Sequence, residues 1–415
     1  VAGALAGLRV VEGSAFVAAP LGGLTLAQLG ADVIRFDQVG GGLDAHRWPL
    51  APDGRESLFW SGLNRGKRSI AVDLRSPRGQ ELLTRVITAP GAEAGIFSTN
   101  FPARGWLAYD TLRARRDDLI MVVLTGRRDG GSEVDYTVNP QLGVPSLTGP
   151  AHDPVPVNHV LPAWDLIAGH QVALGILAAE RHRTRTGRGQ LVQLALKDVG
   201  LAMLGHLGIL AEAALHGRDR ARHGNHLFGA FGRDFTTADG RRVMVVGLTD
   251  AQWRALVAAT GSADAMDALG DRLQLDLREE GHRFAAREAI ADALAPWFAA
   301  RPYADVADAL TRHRAAWGPY RTVGEALADD PDAGLANPLF GAARAADGTP
   351  YPAPGLPLAF GDLPRAPVAA VPRLGEHTDE ILLTLAGVSE AELGRLHDDG
   401  VVAGPAARPP SPSLP

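Results

Sequence analysis

The stretch GLRVVEGSAFVAAPLGGLTLAQLGADVIRFD (residues 7–37) decides the fold. LRVVEG (8–13) and ADVIRFD (31–37) are apolar runs of strand length. Between them, PLGGLTLAQLG (20–30) has helical character, with Pro20 suited to a first turn and Gly30 to a stop. Strand, helix and strand in succession make a parallel βαβ unit. The pattern repeats outward. RSIAVDL (68–74), AGIFSTN (94–100) and LIMVVLTG (119–126) read as further strands, and SPRGQELLTRVITA (76–89) as an amphipathic helix capped by Ser76. Two long helices are expected around 165–184 and 190–216, joined by the TGRGQ turn (186–190).

The expected fold is therefore α/β: a large Rossmann-like domain with a parallel sheet, plus a smaller α+β domain. Residues 1–215, completed by 345–402, form the large domain, and 225–335 the small one. In the small domain an Asp-Gly hairpin signal at 239–240 separates two strands, and Thr249 caps a helix. Residues 331–373, rich in Pro, Gly and Ala, read as an extended return segment, and 377–400 as a final helix pair. Residues 403–415 read as a flexible tail.

Composition narrows the chemistry. A chain of 415 residues is too long for one simple core, so two domains are natural. With a net charge of −6 and no basic block, nucleic acid is not an expected partner. The absence of cysteine removes disulfides, thiolate metal sites and thiol nucleophiles, and is compatible with a reducing cytoplasm. The N-terminal VAGALAGLRVVEG lacks the basic start of a signal peptide. No membrane span is expected, because Gly, His and Glu interrupt even the most apolar region, 198–215. The 13 histidines show no metal-ligand spacing, and no metal is expected. The acids of DGGSEVD (129–135) lack a calcium-loop pattern. GGG (40–42) has neither the lysine nor the helix of a phosphate loop. NRGKRS (64–69) reads either as a phosphate grip through Arg65, Lys67 and Arg68 or as a solvated basic turn.

PAWDLIAGHQ (162–171) holds the most pointed residue, Asp165, at the start of a largely apolar helix. Two readings stay open on the residues alone. Aspartate is a favoured N-cap, although Ala168 stands where a capping box would have Glu or Gln. Alternatively, Asp165 is a reactive carboxylate, partly dehydrated by Trp164 and Leu166 and steadied by backbone N–H groups at the helix start.

Several segments together resemble the family III CoA-transferases, the group that includes formyl-CoA transferase. They are residues 7–37, GLNRGKRSIAVDLRSPRGQELL (62–83), TNFPARG (99–105), DLIAGHQVALGILAAERHRTRTGRGQLVQLALKD (165–198) and PRLGEHTDEILLTLAGVSEAELGRLHDDGVV (372–402). The resemblance implies an interlocked homodimer of ring-shaped subunits acting on an acyl-CoA. CoA enters as part of the substrate, with no prosthetic group. It places the nucleophile at Asp165. It puts Ala15, Phe16, Val17 and Ala18 against CoA, with Asn100, Phe101 and Arg104 along the pantetheine and nucleotide path. Arg35 or Gln38 would lie near the adenosine, and Val72 is also counted among the CoA-binding residues. A cation should hold any free carboxylate of the substrate, and Arg47, Arg127 and Arg233 are the candidates. The scaffold permits transfer between two molecules or within one. The related racemases place a histidine base where this chain has Val134, so proton exchange at an α-carbon is not expected.

Overall fold

The computed structural model describes residues 3–345 and 348–405. The expected tail lies, from residue 406 on, outside the described residues. The chain divides into two compact units: Val1–Leu142 with Leu161–Gly208 and Pro331–Pro415, and Gly143–Val160 with Ile209–Asp330.

The first unit is built on six parallel strands, β1 (Arg9–Gly13), β2 (Asp32–Asp37), β3 (Arg68–Val72), β4 (Ile96–Thr99), β5 (Ile120–Thr125) and β6 (Leu191–Ala195). Their order is β3-β2-β1-β4-β5-β6, and Val402–Ala403 adds a short antiparallel edge outside β3. Strand order reverses between β1 and β4, and in such sheets the crevice at that reversal takes the ligand. Helices α1 (Ala18–Gln28), α2 (Leu58–Asn64), α3 (Pro77–Thr88), α4 (Tyr109–Arg113) and α5 (Asp135–Gln141) follow successive strands. A single turn, α6 (Val144–Leu147), belongs to the second unit, and the chain re-enters the first at the long helix α7 (Ala163–Thr186).

One sheet face packs Val11, Ile34, Phe36, Ile70 and Phe97 against Leu82, Leu83 and Val86 of α3 and Ile381 and Leu382 of the helix Thr378–Leu385. Each such side chain contributes about 1.5–3 kcal/mol by leaving water. Ser76 caps α3 by accepting from Gly79 N, as its sequence predicts. In the other layer, α1 and α7 meet almost backbone to backbone. A Cβ on Gly22 would stand 2.7 Å from Val172, and one on Gly169 would stand 2.8 Å from the Ala18 carbonyl oxygen.

The expected helix over 190–216 is corrected. Gly187, at φ 70°, closes α7, and Gly189 passes so close to the carbonyls of Asp118 and Leu119 that no side chain fits. The chain thereby enters the sheet edge as β6, and α8 (Leu196–His206) begins only afterwards. Gly208, at φ 75°, separates it from α9 (Ile209–His216). Among the described residues no single helix is long and apolar enough to cross a membrane.

The second unit carries an antiparallel sheet of β7 (Phe231–Thr236), β8 (Arg242–Gly247) and β9 (Ala316–Pro319). The Asp239–Gly240 turn joins the first two strands. Thr249 and Gln252 form a reciprocal cap on α10 (Asp250–Thr260). Its core gathers Phe231, Val243, Val245, Trp253, Ile290, Leu294 and Phe298.

Candidate active site

Asp165 stands at the third position of α7, so it is not the N-cap. Pro162 occupies that place and offers no side-chain acceptor. The acceptor comes instead from α5. Asp135, 1% exposed, takes hydrogen bonds through Oδ2 from Trp164 N at 2.8 Å and Asp165 N at 3.1 Å. One helical turn along, Asn139 Oδ1 accepts from Trp164 Nε1 at 3.2 Å. The remaining N–H groups of this turn are also engaged, Ala163 with Leu161 O and Leu166 with Pro162 O. The expectation that helix-start donors steady the Asp165 carboxylate is therefore corrected: Asp135 already holds them. Burial, and then the neighbouring Asp135 charge, push the Asp165 carboxyl up to about 7. Trp164 is buried, with its ring packed beside Gly200 of α8.

The loop after β1 lies at the reversal of strand order. Asn100, just beyond β4, accepts from Ala15 N at 3.0 Å and donates to Ala15 O at 2.8 Å. Its amide thus imitates one further rung of the ladder. Phe16 has φ 69°, rare for a side chain with a Cβ, and its ring is 37% exposed. The Phe16 N–H donates to Asp44 Oδ2 at 2.8 Å, which fixes that conformation. The guanidinium of Arg47 lies 5.8 Å from the Phe16 ring centre and 5.2 Å from that of Phe59. Val17 and Ala18 are buried, and Ala18 meets α7 at Gly169, one turn beyond Asp165. Ala15, Phe16, Val17, Ala18, Asn100 and Arg47 are thus gathered around the start of α1, which packs directly on the helix carrying Asp165.

A buried ionic cluster underlies this loop. Arg35 bonds Asp37 at 2.9 Å and Asp44 at 3.0 Å, while Lys67 Nζ bonds Glu12 at 2.8 Å, Asn64 at 2.9 Å and Pro20 O at 2.8 Å. Burial works against the Arg35 charge, but Asp37, Asp44 and Glu12 hold it more firmly protonated than usual. Burial brings the Lys67 ammonium down to about 8 against the pull of Glu12. NRGKRS is consequently neither a solvated turn nor an exposed grip. Lys67 is interior, Arg65 is buried against Tyr351, and Arg68 pairs with Asp32 at 2.5 Å and Glu380 at 3.1 Å.

The other candidates are spread more widely. Gln38 donates to Asp73 and accepts from Leu74 N, and Val72 is buried at the end of β3. Phe101 sits edge-on to Phe36, with ring centres 6.2 Å apart, and Arg104 is exposed. Arg127 pairs with Asp129 at 3.2 Å. Arg233 belongs to the second unit and pairs with Glu288 at 3.3 Å. Of the acids in 129–135, Asp129 accepts from Gly131 N and Asp135 serves α7. Among the described residues no group of three His, Cys, Asp or Glu side chains is placed to hold a metal. Sequence reasoning missed Asp44 altogether and the pairings of Asp135 and Lys67, because Phe16, Asp165 and Glu12 lie 28, 30 and 55 residues from them.

The chain as a whole matches a known group of enzymes: it belongs to CoA-transferase family III, whose model matches residues 5–378. It is 66% identical over 403 residues to 2-methylfumaryl-CoA isomerase from Chloroflexus aurantiacus, covering 97% of this chain and 98% of that one. Succinate–glutarate CoA-transferase from Agrobacterium fabrum is 30% identical, over 92% of this chain and 95% of its own. Among solved structures, a CaiB/BaiF family protein from Brucella suis superposes with TM-score 0.75 at 26% identity, covering 93% of this chain and all of that one.

Proposed function

We propose that this chain is a 2-methylfumaryl-CoA isomerase. In this reading it moves CoA between the C1 and C4 carboxyl groups of 2-methylfumarate (mesaconate) within one active-site visit. The observation that carries the proposal is the 66% identity, sustained over nearly the whole of both chains, to a protein of that activity. Relatives that transfer CoA between different acids stand much further off, as the 30% identity of the succinate–glutarate enzyme illustrates.

In this reading Asp165 is the nucleophile. One carboxylate oxygen attacks the thioester carbonyl carbon. A C–O bond forms, the C–S bond breaks, and the electron pair leaves as CoA thiolate. The thiolate attacks the aspartyl carbonyl of the mixed anhydride, giving an aspartyl-CoA thioester and free 2-methylfumarate. The diacid's other carboxylate then attacks that thioester and expels the thiolate. Attack of the thiolate on the new acyl carbonyl regenerates Asp165 and completes the isomerisation. No proton is gained or lost, and CoA is carried only as part of the substrate.

Recapture must be faster than escape of the free diacid, which requires a cation near the nucleophile. Arg47 suits this role best. Arg127 and Arg233 already have acidic partners, whereas Arg47 makes no ion pair among the described residues and stands by Phe16. The reading also carries an interlocked homodimer, which sedimentation of the purified protein tests.

The deciding experiment supplies the C1 thioester alone, together with labelled free 2-methylfumarate. Isomerisation without uptake of label supports the proposal, and strict dependence on a second acid sinks it. Hydroxylamine trapping should mark the peptide that holds Asp165.

A further inference from the structure

Asp135 is a buried carboxylate that the transfer reaction above leaves without a role. Its neighbourhood is unusual. A first-turn aspartate such as Asp165 would ordinarily fold back on the free N–H groups of its own helix. Here Asp135 reaches across from α5 and occupies the N–H groups of Trp164 and of Asp165 itself. Asn139, on the same face of α5, fixes the Trp164 indole. Two bonds to the backbone and one to the ring thus clamp the residue pair that delivers the nucleophile.

We propose that Asp135 is a positioning residue for CoA transfer: it closes the start of α7, fixes the backbone of Asp165, and keeps a negative charge behind the reacting carboxylate. The inference rests on Asp165 being the nucleophile. Acylation removes the negative charge of Asp165, because its oxygen becomes part of an anhydride while the charge departs on the CoA sulfur. Repulsion by Asp135 is therefore present before attack and absent afterwards. It raises the ionised ground state and makes the oxygen more basic.

Among the described residues, Asp135 is the charge that acts on Asp165. The facing helix α1 and strands β5 and β6 carry no ionisable side chain. On α5 the other titratable group, Tyr136, is exposed. On α8, Lys197 is bonded to Gln141, and Asp198 and His206 are exposed. On α7 itself His170 is exposed, and Glu180 lies far along the helix.

The test compares the intact wild type with Asp135→Asn and Asp135→Ser, which keep an acceptor and lose the charge. Asp165 is followed by the protonated-carboxyl infrared band that Asp165→Asn removes, and activity by single-turnover transfer from 2-methylfumaryl-CoA across pH. In the wild type the band should disappear with a midpoint near 7. In both Asp135 variants the midpoint and the acid limb of the rate should move down by about one unit. The high-pH rate should fall about tenfold, with KM little changed. An unmoved midpoint overturns the proposal. Loss of the native circular dichroism in both variants also overturns it, by reducing Asp135 to a support of the fold. If hydroxylamine finds no adduct on Asp165 in the wild type, the nucleophile reading fails, while the infrared midpoint still decides whether Asp135 governs Asp165.

Discussion

An Asp165→Asn chain differs from the wild type by one oxygen exchanged for nitrogen and, above neutral pH, by one charge. The carboxyl titrates near 3.8 in an unfolded chain and is pushed up to about 7 in the folded one. Between those values the folded state binds more protons than the unfolded state, so stability falls as pH rises from about 4 to 7. Above pH 7 the penalty is constant. About three units at ~1.4 kcal/mol each set a ceiling of about 4 kcal/mol. Partial exposure of Asp165 reduces this to about 2–3 kcal/mol. Asparagine never ionises and escapes the penalty. Urea unfolding at pH 8 should therefore find Asp165→Asn more stable by that amount and catalytically dead. The gap should narrow steadily as pH is lowered towards 4. Equal stability at pH 8, or a gap that ignores pH, refutes the idea that a dehydrated, like-charge-flanked carboxylate is held here against the preference of the fold.

Other outcomes follow from the same geometry. Lys67→Met leaves Glu12 buried without its ammonium and should cost about 3–5 kcal/mol in denaturant unfolding, with much of the loss restored by adding Glu12→Leu. Gly169→Ala drives a methyl to 2.8 Å from the Ala18 carbonyl oxygen, so α1 must move off α7. That should cost about 1–3 kcal/mol and lower kcat, measured by melting and by turnover. Arg47→Met should raise KM about tenfold or more and release free 2-methylfumarate during turnover, detectable by chromatography. Arg47→Lys should recover only part of both effects.

What could be read from the chain follows from how local each signal is. The βαβ alternation over 7–37, the Ser76 and Thr249 caps and the Asp239–Gly240 hairpin depend on neighbours in sequence, and each stands as expected. β6 was hidden because LVQLA runs straight into an apolar helix and is half-exposed at the sheet edge, so only its short alternation and the preceding glycine turn marked it. The N-cap alternative at Asp165 fails for another reason. The true acceptor, Asp135, comes from a different helix 30 residues earlier. Neither reading of Lys67, phosphate grip or solvated turn, anticipates its burial, because its partner Glu12 lies 55 positions away, inside a strand. Tertiary pairing of charges leaves no local trace, so the neighbourhood of Asp165 was less legible than Asp165 itself.

The closed start of α7 bears on which solutes can interfere with the enzyme. An open helix N-terminus is a ready seat for phosphate, sulfate or a stray carboxylate, and a nucleophile mounted there would share its post with every cellular anion. Here the seat is taken by a carboxylate tethered to the chain, Asp135. On the proposed mechanism, a free diacid formed in mid-reaction would find those two N–H groups already taken, and its course would be back to the aspartyl thioester. A tether that excludes anions from this spot is one way for an enzyme to handle a dicarboxylate without becoming its trap.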